Sequence, residues 1–457
     1  MSLARPVSVR AEPALDAWGR LARDRFESVP DDRRRARAQL GLPTDRPIVM
    51  TGHQSGFWHP GILSKYIAAD AVASAIDGAS AAVVVDHDPA DPLTLHAVRD
   101  RGGRVSRSEI TLGGPSPGSV ARLRPAANPG SLHAPTQDSG VIDSDRNALG
   151  RALEALGRSD GAESLAVQSA RANRELLHKW HRVDEFTVTD LARTEAFGRF
   201  FERCIDDPEG SVRAYNRAVR AFPDAGVSML FAQNRDHRWE IPFWLIDAQM
   251  GRRPLYHEMV EQQLFDRTRL APRALGMTAI LRMEFCDLFV HGTGGATYDR
   301  ITDVWIGEWL GESLAPAVSI TADVCRPIPV EADRSVTEAQ RNAAVWLAHA
   351  AAHNPGLSGD TDAAATKHRY CERIAALPYA SDERRDQYFE MHRWLASWRD
   401  MHARDLDELE GRARQAERGT ELRELESRRD WPAFLYPPAA LDDLASRIVA
   451  GVGGISC

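Results

Sequence analysis

Lysine is nearly missing from this chain. Of 57 cationic residues only Lys65, Lys179 and Lys367 are lysines, a bias that reflects genomic composition and leaves arginine as the working cation. A basic surplus is missing too. The 457 residues carry a formal net charge of −8, which argues against nucleic acid as the main partner. No apolar run reaches the ~20 residues of a membrane-spanning helix, so no membrane partner is expected. Residues 1–25 lack the apolar centre of a secretory signal. The cysteines, Cys204, Cys286, Cys325, Cys371 and Cys457, are odd in number and scattered, without metal-type spacing. A cytoplasmic protein with reduced, packing thiols is expected. Cys286 lies nearest a motif, but no neighbour activates it. The sequence has no Gly-x-Ser-x-Gly elbow, no Walker loop and no dinucleotide fingerprint. NAD and FAD are therefore not supported.

What the sequence has is a loop. Thr51-Gly52-His53-Gln54-Ser55-Gly56-Phe57-Trp58-His59-Pro60-Gly61 follows a short apolar run, Pro47 to Met50, and precedes a predicted helix, Ile62 to Ile76. Backbone N–H groups at such a turn are unpaired, and the helix dipole adds positive potential there. A second apolar run, Ala79 to Val85, reads as a buried parallel strand and ends in Asp86-His87-Asp88-Pro89. Two strands flanking a helix make a βαβ unit with polar residues at both C-terminal ends.

The rest of the chain divides by composition. Residues 11–41 read as helical and 113–145 as loop. Residues 147–205 read as a mostly helical insertion. Met229-Leu230-Phe231 and Trp239 to Leu245 suggest strands around a turn at Asn234-Arg235-Asp236. Residues 271–310 hold another apolar run ending in His291-Gly292-Thr293-Gly294-Gly295-Ala296-Thr297-Tyr298-Asp299. From Thr337 to Arg429 apolar residues recur in steps of three and four, which predicts a helical hairpin or short coiled coil. Trp431-Pro432 ends it. The expected units are an α/β core over 1–330, helices over 331–430 and a return to the core over 431–457.

Three of these loops, in order, resemble the bacillithiol biosynthesis cysteine-adding enzymes, the cysteine-ligase family. Thr51-Gly52-His53-Gln54-Ser55-Gly56 stands where that family has Thr-Gly-Gln-Gln-x-Gly. Val85-Asp86-His87-Asp88 stands for Glu-Asp-His-Asp. Arg282, then Gly292-Thr293-Gly294-Gly295-Ala296-Thr297-Tyr298, stands for an Arg followed by Gly-Gly-Pro-Gly-Glu and a Tyr. The departures, His53, Val85 and the lost Pro and Glu, mark a divergent branch. The family's lysine in the first helix falls about two residues from Lys65. The resemblance implies an α/β fold with a Rossmann-like parallel-sheet core, a C-terminal coiled-coil domain that forms a homodimer, and a ligand site at the sheet's C-terminal edge. It also implies that cysteine is joined to the amine of a small anionic sugar-like acceptor. A nucleotide, ATP or ADP, is the candidate activating cosubstrate.

Each residue also has a plainer reading. His53 and His59 suit anion binding or proton transfer, given the flanking glycines; the alternative is backbone bonding in a tight loop. Gln54 can contact ligand or brace the loop. Gly52, Gly56 and Gly61 suit ligand approach or positive φ. Asp86, His87 and Asp88 form a catalytic candidate, with helix capping as the alternative and no metal assigned. Asp91 reads as a turn residue. Arg282, in an apolar stretch, needs an anion, either a ligand or a carboxylate such as Glu284 or Asp287. His291, Gly292, Gly294, Gly295 and Tyr298 resemble a second anion nest, or an ordinary capped turn. Lys65 can neutralise phosphate or lie on a solvated helix face. Glu240 is either buried among apolar neighbours or turned outward. A nucleotidyltransferase and a non-catalytic dimeric scaffold compete with the ligase reading.

Overall fold

The computed structural model describes residues 7–113, 119–133, 135–136, 139–233, 238–247, 251–261 and 267–453. It is a mixed α/β fold built on a mostly parallel six-stranded sheet. The strands lie in the order Ser8–Glu12, Ala317–Asp323, Leu288–His291, Ile48–Gln54, Ala79–Val85, Asp184–Thr187. Only Ser8–Glu12 runs antiparallel.

Alternation along the central strands sets two cores. Val49, Leu288 and Val290 pack with Leu63 and Ile67 of the helix Pro60–Ala75. Ile48, Met50 and Phe289 point the other way, toward Ile301 and Trp305 of the helix Thr293–Leu310. Successive strand side chains alternate faces, so each strand feeds both cores. The helix Pro60–Ala75 is apolar nearly all round, and Leu63, Tyr66, Ala68, Ala69 and Val72 are fully buried. Such a helix must be covered on every side. Pro438–Val452 covers it, as the expected return to the core requires.

Chain direction matters most for the site. From Ile48–Gln54 the chain crosses through Pro60–Ala75 to Ala79–Val85 on one side. From Leu288–His291 it crosses through Thr293–Leu310 to Ala317–Asp323 on the other. Right-handed crossovers running in opposite directions put their helices on opposite faces, as the two cores require. A crevice therefore opens between Ile48–Gln54 and Leu288–His291 at their C-terminal ends, where open α/β sheets hold ligands.

Several expected boundaries move. The first strand runs on to Gln54 because Thr51 through Gln54 pair with Ala82 through Val85. Gly52 is therefore a strand residue, and a Cβ there would lie 2.4 Å from a Val83 methyl. The helix starts at Pro60, with His59 as its cap. The insertion supplies an edge strand, Asp184–Thr187, between its helices. Residues 11–41 are helical only from Trp18, because Ser8–Glu12 joins the sheet. The antiparallel pair Thr94–Arg101 and Arg104–Thr111 was not expected.

The second, four-stranded sheet contains Arg238–Asp247, which pairs with Ala232–Gln233, Gly251–Tyr256 and Leu270–Pro272. Its first strand lies just beyond Met229-Leu230-Phe231, and the turn at 234–236 is outside the described residues, as is Cys457. In the C-terminal region Glu338–Ala351 packs on Ala403–Ser427, and Thr361–Ala376 on Asp382–Met401, within the one chain.

Candidate functional site

The crevice is a cavity of about 730 Å³. Its floor is made by the ends of the two central strands. Its walls come from both glycine-rich loops, the Val85–Asp88 segment and the four-stranded sheet. Two helices of 16 and 18 residues start at it.

Their N-termini differ. In Pro60–Ala75 the His59 Nδ1 accepts from Gly61 N at 3.0 Å, so this imidazole caps the helix. Burial and then Arg429 lower its pKa to about 4. The ring is neutral, as a capping acceptor must be. Thr293–Leu310 has no side-chain cap and no acidic residue in its first turn. Gly292 and Gly294 border the cavity beside those free amides, an arrangement that attracts an anion. Gly295 is small for another reason. A Cβ there would sit 2.3 Å from His291 Nδ1.

Lys65 is buried, not solvated. Its Nζ donates to Gly52 O at 2.6 Å. Among the described residues no carboxylate pairs with it, and burial lowers its pKa from 10.5 to about 7. His53 stands beside it, half-buried, with its pKa pushed well below the usual range by burial, then by Lys65 and His59. His53 is thus a neutral acceptor at pH 7.

His291 is the last residue of its strand. Its Nε2 lies 2.8 Å from Asp299, which also meets Arg282 at 3.0 Å. Burial opposes the Asp299 charge, but His291 and Arg282 outweigh it and keep the carboxylate ionised. Tyr298 borders the same cavity, and burial, then Asp299, raises its pKa, so the phenol stays a donor.

His87 and Asp88 border the cavity on the opposite side, and His87 is kept neutral chiefly by burial. Asp88 accepts from Ala90 N at 2.8 Å. It is the one carboxylate on the lining among the described residues. Gly52, Gln54 and Gly61 also border the cavity.

Four expected site residues lie elsewhere. Thr51 is buried and donates to Val290 O at 2.8 Å, tying the central strands together. Asp86 turns inward to Thr189 N at 3.2 Å and to the Thr189 hydroxyl, holding the start of the helix Val188–Ala192. Gly56 sits against Pro92 with φ of +125°. Arg282 is held by an ion pair with Asp299, by Asp303 at 2.7 Å and by Ala315 O at 2.7 Å. Its partners are these aspartates, not Glu284, which meets Arg199, nor Asp287, which meets Arg37.

The cavity also gathers cations that sequence reasoning missed: Arg252, Arg273 and Arg429. In a chain this rich in arginine none carries a signal of its own. Glu240 is buried and pairs with Arg273, which settles its orientation. Arg429 follows the long helices and bonds Thr321 and, at 3.3 Å, Asp323. Asp91 accepts from Leu93 N at 3.1 Å, a turn contact, and also meets Arg124. Cys286 is buried, which pushes its thiol pKa up and keeps it unreactive.

Among the described residues no three His, Cys, Asp or Glu side chains converge to hold a metal ion, and no helix is long and apolar enough to cross a membrane. No family model matches the sequence, and no curated protein matches it at a significant level. The site stands on its own geometry: a cationic cavity with neutral imidazoles, in a chain of net negative charge.

Proposed function

We propose that this chain is a cytoplasmic cysteine-ligase-like enzyme. It would join an amino acid, cysteine by resemblance, through its carboxyl group to the amine of a small anionic sugar-like acceptor, as in bacillithiol synthesis. The observation that carries this reading is that all three loops behind the resemblance border one cavity, lined also by Lys65 and by the uncapped start of Thr293–Leu310. The Rossmann-like description of the sheet, and a homodimer formed through the long C-terminal helices, belong to the same proposal.

The chemistry asked of the site is modest. The uncapped helix at Thr293, with Lys65 and Arg429, would hold an anionic group. The acceptor amine would attack the activated carboxyl carbon, forming the C–N bond. Its proton would pass to a neutral imidazole, His53 or His87. The leaving oxygen would depart with its activating group, for which a nucleotide is the proposed source. Arg282 has no part in this scheme, being held by its own aspartates.

Mass spectrometry of ligands retained by natively purified protein, followed by thermal shifts, tests the reading. An amino-sugar conjugate that stabilises the wild type but not His53→Ala supports it. A retained nucleotide alone would shift the assignment to a nucleotidyltransferase. With an acceptor in hand, His53→Ala is expected to cut turnover well over tenfold while keeping the fold; unchanged turnover removes His53 from the mechanism. A chain with no turnover and no ligand would be a scaffold.

A further inference from the structure

The far wall of the cavity is built from the second sheet and has no place in the scheme above. Trp244, on the strand Arg238–Asp247, borders the cavity there. Two guanidinium groups lie over its ring, Arg273 at 4.0 Å and Arg252 at 4.8 Å from the ring centre. They come from opposite sides. Arg273 follows the strand Leu270–Pro272, and Arg252 lies on Gly251–Tyr256; these strands flank Arg238–Asp247 on its two edges.

The two arginines are not equivalent. Arg273 is neutralised by Glu240, so it serves as a pillar that fixes the indole. Arg252 makes no ion pair among the described residues. Two other arginines of this sheet are paired, Arg238 with Glu258 at 2.7 Å and Arg269 with Asp247 at 3.5 Å. A guanidinium resting on indole is partly desolvated and preoriented, and its donors still need an acceptor.

A second observation points the same way. His87 borders the same cavity and is only 4% exposed. Its Nδ1 faces Asp86 Oδ1 at 3.8 Å, beyond bonding distance, and neither atom meets a closer hydrogen-bond partner among the described residues. Burial keeps the ring neutral against the pull of Asp86, with Arg122 and Arg252 adding to the effect of burial. An imidazole and a guanidinium that line one cavity, neither with a bonded anionic partner among the described residues, leave room for a polar group from outside the chain.

We propose that this wall is a second anion subsite, with Arg252 as its charge, His87 as its hydrogen-bonding partner and Trp244 as its platform. The ligand is then an elongated molecule with an anionic group, phosphate or carboxylate, at each end. One end sits at Lys65, Arg429 and the amides of Thr293 and Gly294; the other sits on Arg252. This rests on the anion-binding reading of the near end, and it narrows the acceptor to a bis-anionic class.

The test uses the full chain and α,ω-alkylene bisphosphonates of increasing length, whose charge stays constant, with methylphosphonate as the one-ended probe. Binding is read by calorimetry. The best-fitting bisphosphonate should bind about tenfold tighter than methylphosphonate, because the second contact becomes intramolecular. Arg252→Gln should bring that ratio down to about one and leave methylphosphonate binding unchanged. Lys65→Met should weaken both. A length preference that survives Arg252→Gln, or no length preference at all, overturns the second subsite while the near end stands. Failure of methylphosphonate to bind the wild type overturns both.

Discussion

The two central strands carry a buried cation at each end, and the ends are opposites. Where Ile48–Gln54 and Leu288–His291 begin, Asp287 accepts from Ile48 N and from Arg37, both at 2.8 Å, and neither ionic side chain is more than 1% exposed. Where the strands finish, Lys65 has a single carbonyl partner and faces a cavity with an uncapped helix. Buried charges are tolerated when paired and bonded. The first end has its counter-ion within the chain, so it is structure. The second, among the described residues, does not, which is why the proposed ligand is put there. Burial alone does not distinguish a functional cation from a structural one; the count of anionic partners does.

The comparison breaks most visibly at the closed end. Asp287→Ala leaves Arg37 buried without a carboxylate and the Ile48 amide without its acceptor. A loss of about 3–5 kcal/mol is expected in urea unfolding. A loss under about 1 kcal/mol would mean that water reaches Arg37 and that the two ends are not opposites.

At the open end the sign reverses. Lys65→Met removes an amine whose folded pKa lies near 7, below its unfolded 10.5. The folded state binds fewer protons between those values, so the cost of burying Lys65 is full below pH 7 and fades as pH rises toward 10.5. The variant should gain about 2 kcal/mol at pH 6 and progressively less above pH 8, while losing the stabilisation that added phosphate gives the wild type. Destabilisation at pH 6 would show that Lys65 holds structure.

That contrast was only half legible in the sequence. The valine-rich Ala79–Val85 was readable because a continuous apolar run has few alternatives. Ser8–Glu12, Asp184–Thr187 and Ala317–Asp323 were not, because they are short or mix polar residues into the run and gain strand character only from their neighbours. The loops were found, yet the direction of each side chain was not. Thr51 and Asp86 look like site residues beside Gly52 and His87, and both turn inward to bond backbone. Facing is set by strand parity and by which amide needs an acceptor, which local sequence does not encode. The arginines were least legible. Arg252 and Arg429 reach the cavity from a second sheet and from beyond the long helices, distances along the chain that no motif spans.

The smallest expected effect lies in the loop between the two ends. His59 caps Pro60–Ala75 only while neutral, and its folded pKa of about 4 is well below the unfolded 6.5. The folded state therefore binds fewer protons across that interval. The contribution of His59 to stability is complete above pH 6.5 and is lost as pH falls toward 4. His53 and His87 shift in the same direction, so the wild type should weaken on acidification by more than one site. His59→Asn keeps an oxygen that can accept from the Gly61 amide and removes the titration. It should match the wild type at pH 7.5 and retain on the order of 1–2 kcal/mol more at pH 4.5, read from urea midpoints across that range. An unchanged acid slope would place the pH sensitivity in the other imidazoles and leave His59 a cap whose protonation the fold tolerates.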